Sequence, residues 1–571
     1  MMKERKEKTW RLRFVRREIP LLIFFILVSL FIAPMVLVLV NFILTYDTSN
    51  PDQGMANYDT VIHFLLHPVL AIQTCLLNEY ARQAYFAIQG VFILWFLIRS
   101  SRILIRSRKH ILEDASKYGA HGTARFAKPR EVFDRKNFVS KISDNKFGTI
   151  MGEISNKEVI RKSNSKINGH VMVVAGSGSG KSEGFAIPNI IRNKTHSVIC
   201  SDGKLQLYRR TSKQKAKEGF KIIVVDFVKF IGNKWNPLNK MEPEDVDTFS
   251  TKLVQSTQKQ EDMWTNHGIN YISACIMYVL ENYSPDRQHM GSVRDLSNLA
   301  EEDLKECFER LPSDSIAKDY FSEVSEITGQ TWVGVVTTAK AALRFWKSKR
   351  IREFTQQSDF EFTDLGTEKI ALYIRIHPTN RTYRALINTF FNQLFSELID
   401  GADKFGGKYP LEIDFMLDEF ANIGEVEDFQ NVISYTRSLG LNISAIVQDI
   451  AQLIDIYGEM KTRSIISNCD SFLFMGTNDG KTAEDVSTRL GSTTKRVRND
   501  NEKQEKMDGD SLGYNYIKRS LMNVDEIMGL DDEYALLKVK GKRPIKIEKV
   551  FAYEKYPEYN DESEMGWHLS A

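Results

Sequence analysis

One short segment restricts the fold more than any other. An apolar run, "HVMVVA" (170–175), leads without a break into "AGSGSGKSEGFAIPN" (175–189). Small residues let backbone N–H groups approach phosphate oxygens. A Lys reaches the β- and γ-phosphates, a hydroxyl contacts Mg²⁺, and the dipole of the following helix favours anions. Gly176, Ser177, Gly178, Ser179 and Gly180 form the small-residue turn, Lys181 supplies the charge and Ser182 the metal contact. The spacing is that of a phosphate loop, except that Ala175 stands where the pattern has its first Gly. A plain flexible turn seldom ends in Gly-Lys-Ser between a buried strand and a helix.

Far downstream, "LEIDFMLDEFANIG" (411–424) ends a second apolar strand in Asp418 and Glu419. A carboxylate at a strand's carboxyl end holds Mg²⁺ through water, the task expected of Asp418 beside Ser182. The next carboxylate, Glu419, suits a general base that polarises the attacking water. Asp-Glu pairs are common on surfaces. After an apolar strand, in a chain that already has a phosphate loop, this pair points to nucleotide hydrolysis with Mg²⁺ as cofactor. Gln448 ends another strand, which puts an amide near the γ-phosphate. Arg437, in "SYTRSLGL", is placed to reach a neighbouring subunit's nucleotide as an arginine finger. The bland alternatives are a capping Gln and a solvated surface Arg.

Seven runs read as strands: 170–175, 196–201, 220–227, 369–376, 411–417, 441–447 and 471–476. Several are apolar throughout, as strands buried on both faces are. They alternate with longer helical patterns, so the soluble part is α/β.

The N-terminus reads differently. From Ile19 to Tyr46 there are 28 residues without a charge. About 20 such residues span the roughly 30 Å hydrocarbon layer. The run is longer than the apolar core of a signal peptide, and Pro34 is tolerable there as a kink. A second uncharged run, Gln83 to Ile98, is extended by Arg99 and Arg102, which can snorkel. Residues 1–18 carry eight Lys/Arg against three acids, and residues 99–109 carry five and none, whereas 47–82 has Asp47, Asp52, Asp59 and Glu79 against Arg82. Positive flanks stay inside. The expectation is a multi-pass hairpin in the cell membrane with both termini cytoplasmic and the loop outside. The stretch 61–77 reads as an interfacial or loop helix.

Composition sets outer limits. The chain has 571 residues, with Lys plus Arg at 77 and Asp plus Glu at 74, so it is no uniform polycation, although a local nucleic-acid surface is allowed. Its five cysteines lack CxxC spacing and suggest neither a disulfide framework nor a zinc site.

Taken together, these motifs resemble the TraG-like type IV secretion coupling proteins, membrane-anchored ATPases of conjugation. The resemblance extends through "HGTARFA" (121–127), "SDGKLQLYRRTS" (201–212), "WNPLNKM" (235–241), "LDEFANIG" (417–424), "QDIAQL" (448–453), "SNCDSFLFMGTNDGKTAEDVSTRLG" (467–491) and "RSLMNVDEIMGL" (519–530). Ser201-Asp202-Gly203-Lys204 stands where the family usually has Asp-Pro-Lys-Gly, which leaves the roles of Asp202 and Lys204 open. The resemblance implies a RecA/FtsK-like P-loop motor domain with an inserted all-α domain, a homohexameric ring, and ATP-driven transfer of DNA or DNA–protein substrates. Its partners would be DNA held without sequence preference, a relaxase and the secretion channel proteins. Lys181, Ser182, Asp418 and Glu419 fall on the family's nucleotide site, Gln448 on its glutamine sensor and Arg437 on a trans-acting arginine.

The expected division is an anchor over 1–110 (helices about 19–45 and 81–102, external loop 46–80), a nucleotide-binding domain from 111–245 and 356–555, an all-α domain over 246–355, and an acidic tail over 556–571. Lys340, Arg344, Lys347, Lys349, Arg350 and Arg352 make a basic run that suits DNA phosphates or a solvated helix face. Residues 498–513 read as an exposed loop, 534–550 as a hairpin turning at Gly541–Pro544, and the residues from Tyr553 onward as a frayed end. Two other functions compete: an FtsK-type chromosome translocase, and a docking receptor that recruits protein cargo and uses ATP only to assemble. No HExxH occurs, which excludes a membrane zinc protease.

Overall fold

All seven expected strands form. The computed structural model describes residues 19–28, 31–33, 35–37, 39–40, 43, 62–107, 112–142, 147–163, 165–257, 263–379, 382–499 and 513–559. The strands are β1 (Val171–Ala175), β2 (Ser197–Ser201), β3 (Lys221–Asp226), β4 (Ile370–Arg375), β5 (Ile413–Leu417), β6 (Leu441–Val447) and β7 (Ser471–Gly476). They lie side by side in the order β7-β1-β6-β5-β2-β4-β3, and each neighbouring pair is parallel.

Their side chains alternate between two cores, as the strand period of two requires. Met172 and Val174 of β1 face one core, while Val171, Val173 and Ala175 face the other. In β4, Leu372 and Ile374 are divided in the same way from Ala371 and Tyr373. Neither face of the sheet meets solvent, which is why these strands read as unbroken apolar runs.

Antiparallel strands extend the sheet past β7. Tyr534–Val539 pairs with β7, Ile545–Glu548 pairs back on it, and Gly148–Ile154 continues from there. The hairpin expected over 534–550 therefore exists, and it turns through Gly541, whose φ is +71°.

Between β3 and β4 the described chain beyond residue 242 is mainly helical. Its longer helices are Pro243–Gln255, Met263–Asn282, Ile316–Ser325 and Gly329–Ala342. Their apolar faces share one core with the sheet: Phe227, Trp235 and Phe390 meet edge to face, beside Phe354. Trp235 is buried, and its Nε1–H donates to Gln393 Oε1 at 3.1 Å, so this part of the "WNPLNKM" segment serves packing. Arg352 is likewise committed, through a bidentate pair to Asp295 at 2.7 and 2.6 Å, which removes it from the basic run as a free cation.

Residues 1–113 and 497–515 form a separate unit. Two of its helices are long and apolar enough to cross a membrane, Ile19–Leu37 and Glu79–Arg99. The second continues to Ser107, past the expected end near 102. The stretch 61–77 holds the helix Pro68–Leu77, which starts on a proline, as a first turn tolerates. Its Ala71 and Cys75 are buried in one cluster with Ala33, Val36 and Leu37. Pro34, residues 1–18 and 46–61, and nearly all of the loop expected over 498–513 lie outside the described residues.

The frayed end expected from Tyr553 needs correcting. Ala552–Lys555 is helical and Pro557–Tyr559 forms a 3₁₀ turn. Ala552 is fully buried, and Tyr556 and Tyr559 pack on the core that contains the phosphate-loop helix. Acidic composition hid this, because the aromatic rings contribute the burial. Residues 560–571 lie outside the described residues.

Candidate functional site

Parallel pairing puts the carboxyl ends of β1, β6, β5 and β2 on one edge. In register, Val174 is level with Val447, Leu417 with Ala445, and Leu417 with Ser201. The residues that leave those strands therefore gather there: the glycine loop after Ala175, Gln448 after Val447, Asp418 after Leu417 and Asp202 after Ser201. Open α/β sheets bind ligands at this edge.

The loop is held at both ends. Gly176 N–H donates to Gly476 O at 2.8 Å, and both Ser179 N–H and its Oγ–H donate to Gly176 O. Gly178 and Gly180 have φ of +81° and +77°, backbone that turns successive N–H groups inward. At Gly178 a Cβ would meet nothing, so only the backbone requires glycine. At Gly180 a Cβ would come 2.8 Å from the Phe551 ring, so space requires it as well. The helix after the loop opens with a π-helical turn, Ser182–Ala186, before α-helix Ile187–Arg192. Pro188 has no N–H to complete the α ladder there, which accounts for the wider turn.

The four expected polar residues converge. Lys181 Nζ donates to Glu419 Oε1 at 2.9 Å and lies 3.5 Å from Asp418 Oδ1, while Ser182 Oγ–H donates to Asp418 Oδ2 at 3.0 Å. Burial raises the Asp418 carboxyl pKa. Lys181 and the Ser182 hydrogen bond oppose that rise, and Glu419 adds to it. Asp418 Oδ1 is buried and accepts no hydrogen bond. A hard oxygen with an unused lone pair beside a hydroxyl suits Mg²⁺, which takes few protein ligands and keeps water and phosphate oxygens for the rest. No cluster of three or more His, Cys, Asp or Glu that could hold a metal occurs among the described residues.

Glu419 has φ of +55°, a left-handed conformation that costs a non-glycine residue energy. Asn422 Nδ2 donates to Glu419 Oε2 at 2.8 Å, so the carboxylate is held between Lys181 and Asn422. Asn422 stands inside the quoted "LDEFANIG", yet only the 3₁₀ turn after Glu419 shows its partner.

Asp202 gains a structural role. It is buried, and its carboxylate accepts from the N–H groups of Lys204, Gln206 and Tyr208 at the start of helix Gln206–Lys217. That helix braces the phosphate-loop helix. Gln206 and Arg210 both bond Glu183 Oε1, and the fully buried Lys215 donates to Ile191 O, Asn193 O and Glu218. Sequence reading missed Glu183 and Arg210, because their pairing needs the tertiary fold.

Gln448 leaves β6, the strand between β1 and β5, so it emerges between the loop and the acids. Arg437 does not join them. It lies in the last turn of helix Phe429–Leu439, just before β6 starts, and its Nη2 donates to Lys166 O at 3.4 Å. That is the amino edge of the sheet, where it lines a cavity with Lys166, Asp134, Asp470, Lys540 and Lys542. Within its own chain Arg437 is no part of the site.

A doubly covered sheet whose carboxyl edge brings a glycine loop, Lys181 and Ser182 against Asp418 and Glu419 defines an α/β protein with a candidate nucleotide site. More narrowly, the chain belongs to the type IV secretory system conjugative DNA transfer family, whose model matches residues 132–568. It is 25% identical over 480 residues to protein VirD4 of Rhizobium radiobacter, covering 80% of this chain and 66% of that one. It is 26% identical to the conjugal transfer protein TraG of Escherichia coli, covering 72% of this chain and 70% of that one. The chain thus spans just under two thirds of that VirD4, and 58% of VirD4 from Agrobacterium fabrum. Among solved structures, the plasmid coupling protein TrwB in complex with the ATP analogue ADPNP has the same fold, with TM-score 0.55 and 16% identity over 75% of this chain and 93% of that one.

Proposed function

We propose that the chain is a membrane-anchored ATPase that couples DNA and its relaxase to a type IV secretion channel and drives conjugative DNA transfer. The observation that carries this is the convergence of Lys181 and Ser182 on Asp418 and Glu419, in a chain of the conjugative DNA transfer family.

The loop amides from Gly176 to Ser182 hold the phosphates, and Lys181 balances charge on the β- and γ-oxygens. Ser182 and Asp418 would hold Mg²⁺, which would supply positive charge against that developing on the phosphates. Glu419, kept in place by Asn422, accepts the proton of the attacking water. Gln448 presents its amide at the γ-phosphate, and Arg437 serves a neighbouring copy, which suits its place on the far edge of its own sheet. Copies meeting edge to edge would form a heterologous interface, which gives a ring where the rotation between neighbours closes, here a hexamer. The helices Ile19–Leu37 and Glu79–Arg99 anchor the chain in the cell membrane with both termini cytoplasmic, as the basic flanks favour. Exposed Lys340, Arg344, Lys347, Lys349 and Arg350 offer phosphate contacts that are indifferent to sequence.

The test is ATP turnover of the full chain in lipid nanodiscs, with and without DNA. Stimulation by DNA, lost in Lys181→Ala together with transfer but not with membrane insertion, is expected. Transfer at the unmodified level by Lys181→Ala would refute the motor. Turnover indifferent to DNA would favour the docking receptor.

A further inference from the structure

A second lysine lies behind the phosphate loop, contributed by the far end of the chain. Lys549 follows the antiparallel strand Ile545–Glu548 and is buried, at 8% exposure. Its Nζ donates to Ser179 O at 2.8 Å, a contact across 370 residues of sequence. Two residues on, the Phe551 ring closes against Gly180 and Gly184. Burying an ammonium is costly unless it is paired, and its hydrogen bond goes to a loop carbonyl.

The geometry of the peptide unit gives that bond a consequence. In a trans peptide the C=O of one residue and the N–H of the next point in opposite directions. Tethering Ser179 O to Lys549 therefore turns the Gly180 N–H away from Lys549. Without the tether the Ser179–Gly180 peptide is free to flip, because Gly180 already has φ of +77° and glycine opposes neither orientation.

We propose that Lys549 is a positioning residue of the phosphate loop: it locks the Ser179–Gly180 peptide with its N–H toward the phosphates of a bound nucleoside triphosphate and adds a second positive charge behind them. This rests on the nucleotide reading above. A residue that merely fills the core would lower stability when changed and leave nucleotide affinity alone.

The experiment measures the Kd of a fluorescent N-methylanthraniloyl ATP for the full chain in nanodiscs, with melting temperature and steady-state turnover recorded alongside. Lys549→Met should raise Kd and KM about tenfold, as expected for loss of a charge-assisted bond, with kcat at saturation retained. Lys549→Gln keeps a donor without the charge and should fall between. Lys549→Arg should stay within about threefold of the unmodified chain. If the Met variant does not fold, the Gln and Arg variants carry the comparison, with Gln the weaker binder. The inference is overturned if Met, or in its place Gln, binds as the unmodified chain does, or if affinity follows melting temperature across the series regardless of charge. Failure of the unmodified chain to bind the probe overturns the nucleotide reading itself, and this inference with it.

Discussion

Glu419 is gripped from two sides, by Lys181 at 2.9 Å and Asn422 at 2.8 Å, and it holds an unfavourable backbone conformation in doing so. Strain of this kind persists only where neighbours over-determine it. The two partners should have separable effects, because in the proposed mechanism Lys181 also meets phosphate, whereas the Asn422 amide donates to the carboxylate. Glu419→Gln should lower ATP turnover by about 10²–10⁴-fold, the usual worth of a positioned base, while nucleotide Kd stays within about twofold. Asn422→Ala should lower kcat about tenfold with KM nearly unchanged, since one orienting hydrogen bond is lost. Steady-state kinetics on both variants checks the division. A rise in KM for Asn422→Ala would show that the residue serves binding instead.

At the scale of elements, helix Gln206–Lys217 acts as a splint along the phosphate-loop helix. Arg210 pairs with Glu183 at 2.5 Å, and its Nε–H donates to Tyr559 O at 2.6 Å, so one side chain ties three segments together. Removing one partner of a buried pair strands the other. Arg210→Ala should therefore destabilise the fold by about 3 kcal/mol, read from the denaturant midpoint; a change below about 1 kcal/mol would contradict the splint. The start of β1 carries a pH signature. Burial, then the Arg161 charge, push the His170 imidazole pKa down to about 3. The unfolded chain takes up that proton near pH 6.5, so the His170 contribution is complete above about 6.5 and is lost as pH falls toward 3. His196 has the opposite sign. Burial lowers its pKa, but Asp414 and Glu412 outweigh burial and raise it, so its contribution is complete below about 6.5 and adds no slope there. Burial raises the Glu397 carboxyl to about 7 and that of Asp202 to about 6, and both act with the opposite sign in this window, so the His170 share is read as a difference: from pH 6.5 to 5 the unmodified chain should lose unfolding free energy relative to His170→Gln.

For the whole molecule, the C-terminal segment closes the structure. Phe551 meets the phosphate loop, Ala552 and Tyr556 enter the core beneath it, and Tyr559 O accepts from Arg210. A chain ending at Val550 loses all of these and should be less stable by about 3 kcal/mol or more, the scale of burying a large aromatic side chain. A chain ending at Tyr559 keeps them and should be the more stable of the two truncations. Equal midpoints for the two truncations would show that the segment contributes nothing.

Consecutive residues were enough to reveal the seven core strands, the loop from Gly176 to Ser182 and the acids Asp418 and Glu419. Each rests on local chemistry: apolar runs buried on both faces, glycines that admit positive φ, carboxylates at a strand's end. Asn422 was within reach, three residues beyond Glu419. Lys549, Phe551 and the Arg210–Glu183 pair were not, because they depend on the order in which strands and helices assemble. The edge occupied by Arg437 also emerges only when strand direction is known. Backbone preference and burial act between neighbours along the chain and leave a trace in sequence. A contact across 370 residues depends on which surfaces the sheet brings together, and that was decided by tertiary packing alone.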